Sequence, residues 1–334
     1  MSSCLVTGGA GFIGSHVVRA LLQDGQEVVA VDDLSGGFRD NVPDEARFVE
    51  GSVGDFELMS GLFARHRFDY VFHLAAYAAE GLSHHIRRFN YDNNVVASAG
   101  LVSLALRHEI RRFVFTSSIA VYGHAPLPMR EDMPMAPVDP YGIAKMAVEL
   151  DLAAAHRYFG LDYTIFRPHN VYGENQNIGD RYRNVVGIFM NQIMSGKPMT
   201  IFGDGSQTRA FSYVGDIAPV IARSALRPEA IGETFNIGAD QPHSVLHLAH
   251  VVANAFGVEP RIEFLPARDE VEHAYSSHEK VRQLLGAEES TTLEMGIDRM
   301  ARWAQRVGPR ASRPFDGIEV ERGLPASWEV ATRE

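Results

Sequence analysis

The sequence predicts an α/β fold, a doubly wound parallel sheet, on three observations. First, a short apolar run at residues 3–6 passes through a glycine-rich loop, Thr7 to Gly14, into an amphipathic helix. Second, strand-like and helix-like stretches alternate along the first half of the chain. Third, the second strand-like run ends at Asp32, within the spacing of about 20 residues that is typical of Rossmann-type folds.

Each further element follows from the same patterns. After residues 3–6, the strand-like runs are 27–31, 47–50, 70–74, 112–116 and 163–166, with longer amphipathic stretches between them. Parallel strands need such crossover connections, so the sheet is expected to be parallel. Beyond Tyr172 the pattern weakens into segments rich in Gly, Asn, Asp and Pro, broken by short helices such as 185–195 and 246–256.

These patterns predict three parts. Residues 1–172 form a Rossmann-type domain, and residues 173–310 form a smaller C-terminal substrate-binding lobe, some of whose segments return to the main sheet. Residues 311–334 form an irregular tail.

Composition and charge limit the classes of partner and compartment. The 334 residues are 46% hydrophobic and 22% charged, which suits a globular chain. The net charge of −11 disfavours nucleic acid and anionic membranes as partners. No stretch is apolar for long enough to cross a bilayer, and no export signal precedes the glycine loop. Cys4 is the only cysteine, so no internal disulfide can form. We therefore expect a cytoplasmic protein without nucleic-acid or membrane partners.

A pair of histidines and three arginines each have alternative interpretations. Adjacent His84 and His85 point apart on a helix and have no third ligand at suitable spacing, so no metal is expected. An anionic substrate would have to meet local arginines, for which Arg181, Arg183 and Arg209 are candidates. Surface arginines are commonly only solvated, so that interpretation remains open for each of them.

The glycine loop indicates a dinucleotide site. Glycines at positions 8, 11 and 14 let the backbone approach a pyrophosphate, and the free N–H groups at the helix start attract its negative charge. Asp32 suits the two hydroxyls of an adenosine ribose and would repel a 2′-phosphate. The predicted cofactor is therefore NAD rather than NADP.

Tyr141 and Lys145 are the central catalytic candidates, together with Ser118. A phenol has a pKa of about 10 and needs nearby positive charge to act as a base at neutral pH. Lys145 lies one helical turn after Tyr141 on the same face, and an oxidised nicotinamide would add a second positive charge. Ser118 would hold a substrate hydroxyl by a hydrogen bond. We expect Tyr141 to remove the proton of that hydroxyl as hydride leaves the same carbon.

Ordered motifs carry a resemblance to a known family. They are Thr7 to Gly14, Val31-Asp32-Asp33-Leu34, His73-Leu74-Ala75-Ala76, Asp92-Asn93-Asn94-Val95, Phe115 to Ser118, Val121-Tyr122-Gly123, Pro140 to Lys145, Arg167 to Gly173, Gly203-Asp204-Gly205 with Arg209, and Phe235-Asn236-Ile237-Gly238. Over roughly residues 3–290 the chain resembles the extended short-chain dehydrogenases/reductases, in the NAD-dependent epimerase/dehydratase family that acts on nucleotide sugars.

The resemblance implies a set of site residues. The NAD contacts would be Gly8, Gly11, Phe12, Ile13, Gly14, Asp32, Asp33, Leu34, Ser35, Gly36, Ser52, Val53, Leu74, Ala75, Ala76, Asn94, Tyr141, Lys145 and His169. The nucleotide-sugar contacts would be Ser118, Asn170, Asn184, Val185, Arg209 and Arg268. The resemblance also implies a homodimer, formed through the apolar helical stripes of residues 95–106 and 146–155.

Departures from the family pattern indicate the reaction type. Family dehydratases and decarboxylases carry an acidic residue shortly after the catalytic Ser/Thr, where this chain has Ile119 and Ala120. GDP-mannose-type double epimerases use a cysteine there. We therefore expect a nucleotide-sugar 4-epimerase, acting on a UDP-hexose or UDP-uronate through a 4-keto sugar. The alternatives are a 4-ketoreductase or dehydrogenase and, less favoured, a decarboxylase or 4,6-dehydratase. A non-catalytic dinucleotide sensor is a further alternative, although it would have no use for Ser118, Tyr141 and Lys145.

Three other departures indicate a distinct subfamily. Ser52 replaces the carboxylate that usually contacts adenine, which predicts weaker cofactor binding. Ala210 follows Arg209 where an aspartate is usual, and Ser277 replaces an acid near Lys280.

Overall fold

The computed structural model describes residues 1–267, 271–287, 291–311 and 315–325, together with Trp328. Its main sheet confirms the predicted doubly wound α/β architecture. The strands are β1 (Ser3–Thr7), β2 (Glu27–Asp32), β3 (Arg47–Glu50), β4 (Tyr70–His73), β5 (Arg112–Thr116), β6 (Tyr163–Pro168) and, later in the chain, β11 (Glu233–Ile237). Their order across the sheet is β11-β6-β5-β4-β1-β2-β3, and every neighbouring pair is parallel. Strand β11 comes from the second half of the sequence and forms one edge of this sheet.

Helices cover both faces of the sheet. The helices are α1 (Phe12–Gln23), α2 (Phe56–Arg65), α3 (Glu80–Ser83), α4 (Arg87–Tyr91), α5 (Ala97–Arg107), α6 (Pro140–Phe159), α7 (Val185–Met194), α8 (Val214–Ser224), α9 (Val245–Phe256), α10 (Glu279–Leu285) and α11 (Leu293–Val307). Helices α2, α5 and α6 bury apolar side chains against one face, whereas α1 and α8 belong to the core on the other face. Among the described residues, no helix is both long and apolar enough to span a membrane.

The smaller lobe contains short strands outside the main sheet. They are β7 (Val171–Tyr172), which pairs with β10 (Ser212–Tyr213); β8 (Met199–Phe202), which pairs with β13 (Ile262–Leu265); and β9 (Thr208–Ala210), which lies between β12 (Pro242–Ser244) and β14 (His273–Ala274). Apolar residues of α7, α9 and α11 share one core with α1 and α8. The lobe is therefore packed continuously onto one face of the Rossmann-type domain.

Residues 315–325 and Trp328, here called the C-terminal segment, are irregular in backbone but packed in position. Phe315, Ile318 and Leu324 pack in one cluster with Leu82 on α3 and Trp328, which is 5% exposed. The Glu319 carboxylate accepts from the backbone N–H groups of Arg88 and Phe89 at 2.9 and 3.0 Å. The chain thus returns from the lobe to cover the region around α3 and α4.

Candidate active site

A cleft of about 1800 Å³ lies at the carboxyl ends of the parallel strands. Its lining includes residues that follow β1 to β6, such as Gly8, Asp32, Leu74, Ser117 and His169, and it extends across the lobe to residues of α7, β8 and β9. Ligands of open α/β sheets bind at this edge because the loops there converge. The fold therefore brings most of the sequence-predicted residues into one continuous site.

The loop after β1 forms a cradle of backbone atoms. Gly8 has a φ of +71°, and a Cβ there would lie 2.7 Å from the backbone nitrogen of Ala75, so a larger residue would push the loop away from β4. A Cβ at Gly14 would overlap the carbonyl of Gly8. Helix α1 begins after Gly11, which offers no side-chain cap to its first N–H groups. Such an uncapped helix start suits an anionic group.

Asp32 is fixed at the end of β2. One of its carboxylate oxygens accepts from the backbone N–H of Ala10 at 3.0 Å, and the other accepts from Leu34 at 2.8 Å. Burial raises the pKa of this carboxyl, although backbone N–H groups oppose the rise. The carboxylate is held at the cleft wall, where its remaining lone pairs can accept from ribose hydroxyls.

Ser118, Tyr141 and Lys145 all line the cleft. Helix α6 begins at Pro140, and its N-cap Asp139 accepts from the Gly142 N–H at 2.9 Å, which orients the first turn that carries Tyr141. The Ser118 side chain acts to lower the pKa of Tyr141. The Lys145 Nζ lies 5.7 Å from the centroid of the Tyr141 ring. It donates at 2.8 Å to the carbonyl of Thr116, at the end of β5.

Burial dominates the electrostatics of the Tyr141–Lys145 pair. It raises the pKa of Tyr141, and the charge of Glu80 raises it further. It lowers the pKa of Lys145 to about 7, with the Glu149 carboxylate opposing the change. In the protein alone, desolvation of the phenol is the main cause that raises the pKa of Tyr141, and stabilisation of the phenolate by Lys145 stays a prediction.

A buried polar network holds α6 against the sheet behind Tyr141 and Lys145. Glu149, one turn after Lys145, accepts two hydrogen bonds from Arg167 on β6 and one from the Ser117 hydroxyl. Arg167 also donates to the Tyr122 hydroxyl at 2.6 Å, and Tyr122 donates to Asn236 at 2.8 Å. The side chains of Glu149 and Arg167 are only 4% and 5% exposed. This network links α6, β6 and the segment around Ser118.

The predicted NAD contacts lie mainly along the cleft. Those that line it are Gly8, Gly11, Phe12, Ile13, Gly14, Asp32, Asp33, Ser35, Gly36, Ser52, Val53, Leu74, Ala75, Ala76, Tyr141, Lys145 and His169. Leu34 and Asn94 are outside this lining. The Asn94 side chain is buried behind the wall, where it accepts from the backbone N–H of Tyr77 at 2.9 Å and donates to the Tyr77 carbonyl at 3.2 Å. Asn94 therefore shapes the wall through Tyr77.

The predicted substrate contacts are placed on the lobe side. Asn170 and Asn184 both have left-handed backbones, with φ of +42° and +63°. Asn184 precedes α7, whose first residue is Val185 and whose start has no side-chain cap. The Arg209 guanidinium donates to the carbonyls of Thr208, Val271 and Glu272, so much of its hydrogen-bonding capacity serves the lobe itself. Arg268 lies outside the described residues.

Arg183 is a loop arginine whose charge acts on Tyr141. It forms an ion pair with Asp180, and its guanidinium lies 4.7 Å from the centroid of the Tyr77 ring. Its positive charge acts to lower the pKa of Tyr141. Arg181 also lines the cleft.

Three features of the site were not anticipated. The first is His278, whose ring contacts that of His169 at 3.0 Å. The second is the C-terminal segment, because Trp328 lines the cleft and a Cβ on Gly81 of α3 would lie 3.0 Å from its ring. The third concerns His85, whose Nδ1 lies 2.7 Å from the Val320 carbonyl oxygen in that segment. Within the described ranges, no group of three or more His, Cys, Asp or Glu residues is arranged to hold a metal ion.

Comparison with known proteins identifies relatives along most of the chain. The model of the NAD dependent epimerase/dehydratase family matches residues 4–238. A UDP-glucose 4-epimerase of Mycolicibacterium smegmatis is 36% identical over 301 residues, which cover 88% of this chain and 95% of that protein. The UDP-glucose 4-epimerase of Thermotoga maritima, solved with UDP-glucose, superposes with a TM-score of 0.86 at 33% identity, over 91% of this chain and 99% of that one. The Thermus thermophilus UDP-glucose 4-epimerase, solved with NAD, gives 0.85 at 30% identity, with the same coverage.

Proposed function

Because this chain belongs to the NAD dependent epimerase/dehydratase family, we propose that it is a nucleotide-sugar 4-epimerase. The observation that carries the proposal is the meeting of Ser118, Tyr141 and Lys145 in one cleft with the glycine cradle and Asp32. The predicted cofactor, NAD, agrees with the family and with the related structure solved with NAD.

The residues present fit NAD. The uncapped start of α1 and the glycine cradle would hold the pyrophosphate, and Asp32 would accept from the adenosine ribose. Ser52, where the family usually has a carboxylate, would leave adenine with a weaker contact. When bound, NAD supplies the hydride acceptor and donor for the sugar carbon.

The chain's own residues would handle the proton. Ser118 would orient the C4 hydroxyl towards Tyr141, and both residues line the cleft. Tyr141 would take the proton and later return it. Because burial raises the pKa of Tyr141, this base needs positive charge beside it. Protonated Lys145 and an oxidised nicotinamide are the two charges proposed to supply it.

The lobe would hold the nucleotide while the sugar turns. The uncapped start of α7 at Val185 suits a diphosphate oxygen, and Asn184 lies immediately before it. Arg209 also lines the cleft, and we propose that it contacts the diphosphate as well. A UDP-hexose or a UDP-uronate is the proposed substrate, and Arg183 is the proposed partner of a uronate carboxylate.

A 4,6-dehydratase is the second candidate. Elimination of water needs an acid and a base besides Tyr141. Ile119 and Ala120 offer neither, which favours the epimerase. Glu80, however, lines the cleft, and its charge acts on Tyr141. The Glu80 carboxylate is the observation that favours a dehydratase as the second candidate.

Proton NMR with a panel of UDP, GDP, ADP and dTDP sugars, including uronates, distinguishes these reactions. A new anomeric doublet with an altered C4 coupling pattern is expected for 4-epimerisation. A C6 methyl signal would mean dehydration, and a pentose spectrum would mean decarboxylation. Tyr141→Phe should abolish turnover while NAD and nucleotide-sugar binding persist. Tyr158→Phe, a matched change at an 81% exposed position of the same helix, should retain full activity.

We also propose that the protein is a homodimer formed through α5 and α6. Leu150 on α6 is 55% exposed, Ile143 on α6 is 36% exposed, and Val96, just before α5, is 63% exposed. Burial of such side chains against a second copy would remove apolar surface from water.

A further inference from the structure

Two buried histidines form a chain that leads from the cleft wall to the surface. His169 and His278 are 3% and 2% exposed, and their Nε2 atoms lie 3.0 Å apart. The Nδ1 of His169 lies 2.9 Å from the Ala210 carbonyl oxygen. The Nδ1 of His278 lies 2.6 Å from a carboxylate oxygen of Asp240. All four ring nitrogens therefore have a partner at hydrogen-bonding distance.

The hydrogen-bond partners of the two rings determine how many protons the pair carries and therefore its charge. A carbonyl oxygen only accepts, so the Nδ1 of His169 must carry a proton. An ionised carboxylate only accepts, so the Nδ1 of His278 must carry one as well. Two neutral rings would then present lone pairs to each other across the 3.0 Å between their Nε2 atoms. The Ser276 hydroxyl, 3.1 Å from the Nε2 of His278, could donate to that nitrogen, but the Nε2 of His169 would still face a lone pair. A hydrogen bond between the two Nε2 atoms therefore requires one more proton. Three protons on four nitrogens give the pair a charge of +1.

The surroundings place this charge on His278. The Asp240 carboxylate is the counter-ion of its ring, and the hydrogen bond from His278 is the main cause that lowers the pKa of Asp240. Burial lowers the pKa of His169 to about 3, and the charge of His278 lowers it further. Arg282 pairs with the other oxygen of Asp240, and the Ser276 hydroxyl lies 3.1 Å from the Nε2 of His278. The group formed by His278, Asp240 and Arg282 thus has a net charge of +1.

We propose that His278 is a positioning residue that holds a permanent positive charge behind His169 and thereby favours the reduced over the oxidised cofactor in the cleft. The first part, the charge, follows from the hydrogen-bond geometry. The second part rests on the proposed function and on the predicted contact of His169 with NAD. A fixed cation near the nicotinamide opposes the positively charged oxidised ring and does not oppose the neutral reduced ring.

The arrangement also defines what His169 can do. Its Nδ1 donates to Ala210 and its Nε2 accepts from His278, so neither nitrogen can exchange a proton with a substrate. A Cβ on Gly238 would lie 2.6 Å from the Nε2 of His169, so only glycine leaves room for the pair. His169 is thereby a fixed wall of the cleft, and proton transfer is left to Tyr141.

The charge is tested directly by NMR of the purified protein with ¹⁵N-labelled histidine. Between pH 6 and pH 8 we expect one ring with both nitrogens protonated, assigned to His278 by its loss in His278→Gln. We expect a second, neutral ring with its proton on Nδ1, assigned to His169. Two neutral rings, or a His169 ring protonated on Nε2, would overturn the proposal. This readout does not depend on the substrate or on activity.

Removal of the counter-ion gives a second test. Asp240→Asn should reduce the signal of the doubly protonated ring at pH 7, because the ring loses the opposite charge that stabilises its own charge. Glu272→Gln is the matched control, since Glu272 lies 3.5 Å from a different histidine, the half-exposed His273. An equal response to both substitutions would contradict the assigned charge.

The effect on the cofactor is measured separately. His278→Gln keeps a donor towards His169 but removes the charge, so the affinity for NADH relative to NAD, measured by competition binding, should fall several-fold. An unchanged ratio alongside a confirmed imidazolium would remove the cofactor role. Absence of any NAD binding would instead contradict the proposed function.

Discussion

Replacement of Glu149 by glutamine tests the buried network that holds the catalytic helix. The substitution keeps the size of the side chain and removes its charge. Arg167 would retain a guanidinium at 5% side-chain exposure without a counter-ion. The glutamine NH₂ would also face a donor of Arg167 where a carboxylate oxygen now accepts. The helix should consequently lose its attachment to β6.

The expected magnitude follows from burial. Breaking a buried ion pair by removal of one partner costs about 3–5 kcal/mol, because the remaining charge stays desolvated. An exposed pair is worth about 0–1 kcal/mol. The pair formed by Lys280 and Glu233 provides that comparison, because its side chains are 31% and 40% exposed. Glu149→Gln should therefore destabilise the protein several times more than Glu233→Gln.

Urea unfolding followed by tryptophan fluorescence and far-UV circular dichroism measures both variants. A loss of less than about 1 kcal/mol for Glu149→Gln, or one equal to that of Glu233→Gln, would refute the reasoning. A second readout concerns Lys145, whose pKa the Glu149 charge raises. Without that charge the pKa of Lys145 falls further, so the activity of the variant relative to wild type should be higher at pH 6 than at pH 8.

Three other predictions concern a buried lysine, the dimer and the C-terminal segment. The folded-state pKa of Lys145, about 7, lies below its ordinary value of 10.5, so between these values only the unfolded chain holds the proton and higher pH favours folding. In the wild type, the free energy of unfolding measured in urea should therefore rise by up to about 1.4 kcal/mol per pH unit. Lys145→Met should remove this rise, whereas Lys197→Met, at an exposed position, should retain it. Leu150→Glu should convert a dimer to a monomer, as measured by size-exclusion chromatography with light scattering. Leu226→Glu, at a similarly exposed leucine, should leave the dimer intact. A monomeric wild type would contradict the proposed interface. Trp328→Ala should speed hydrogen exchange in residues 80–91, because α3 loses its contact with the indole; unchanged exchange would show that the segment does not stabilise this wall.

The sheet, and the placement of Tyr141 and Lys145 along one cleft, could be predicted because local sequence patterns carry them. The central strands are buried, so they appear in the sequence as short apolar runs. The backbone cradle needs glycine wherever a Cβ would collide with a neighbouring atom, so the spacing of these glycines can be recognised in the sequence. Tyr141 and Lys145 share a helix face because of the helical period. In each case the physical requirement acts over a few neighbouring residues.

The histidine pair and the electrostatics of Tyr141 could not be predicted in this way. His169 and His278 are 109 positions apart, and a single histidine in an irregular segment carries no periodic signal. Their contact exists only because α10 and the loop after β6 meet in the fold. The raised pKa of Tyr141 depends on how much water the folded chain excludes, and spacing on a helix does not reveal that quantity.

The C-terminal segment also links the timing of folding to the completion of the cleft. His85 and Val320 are in contact although 235 positions separate them in sequence. A growing chain makes the helices of the Rossmann-type domain long before it makes Phe315 or Trp328. Contacts of such long range form late because a large loop must close first. The cleft wall formed by α3 and Trp328 therefore cannot be complete during most of synthesis. A nascent chain should form this part of its cleft later than the sheet and its helices.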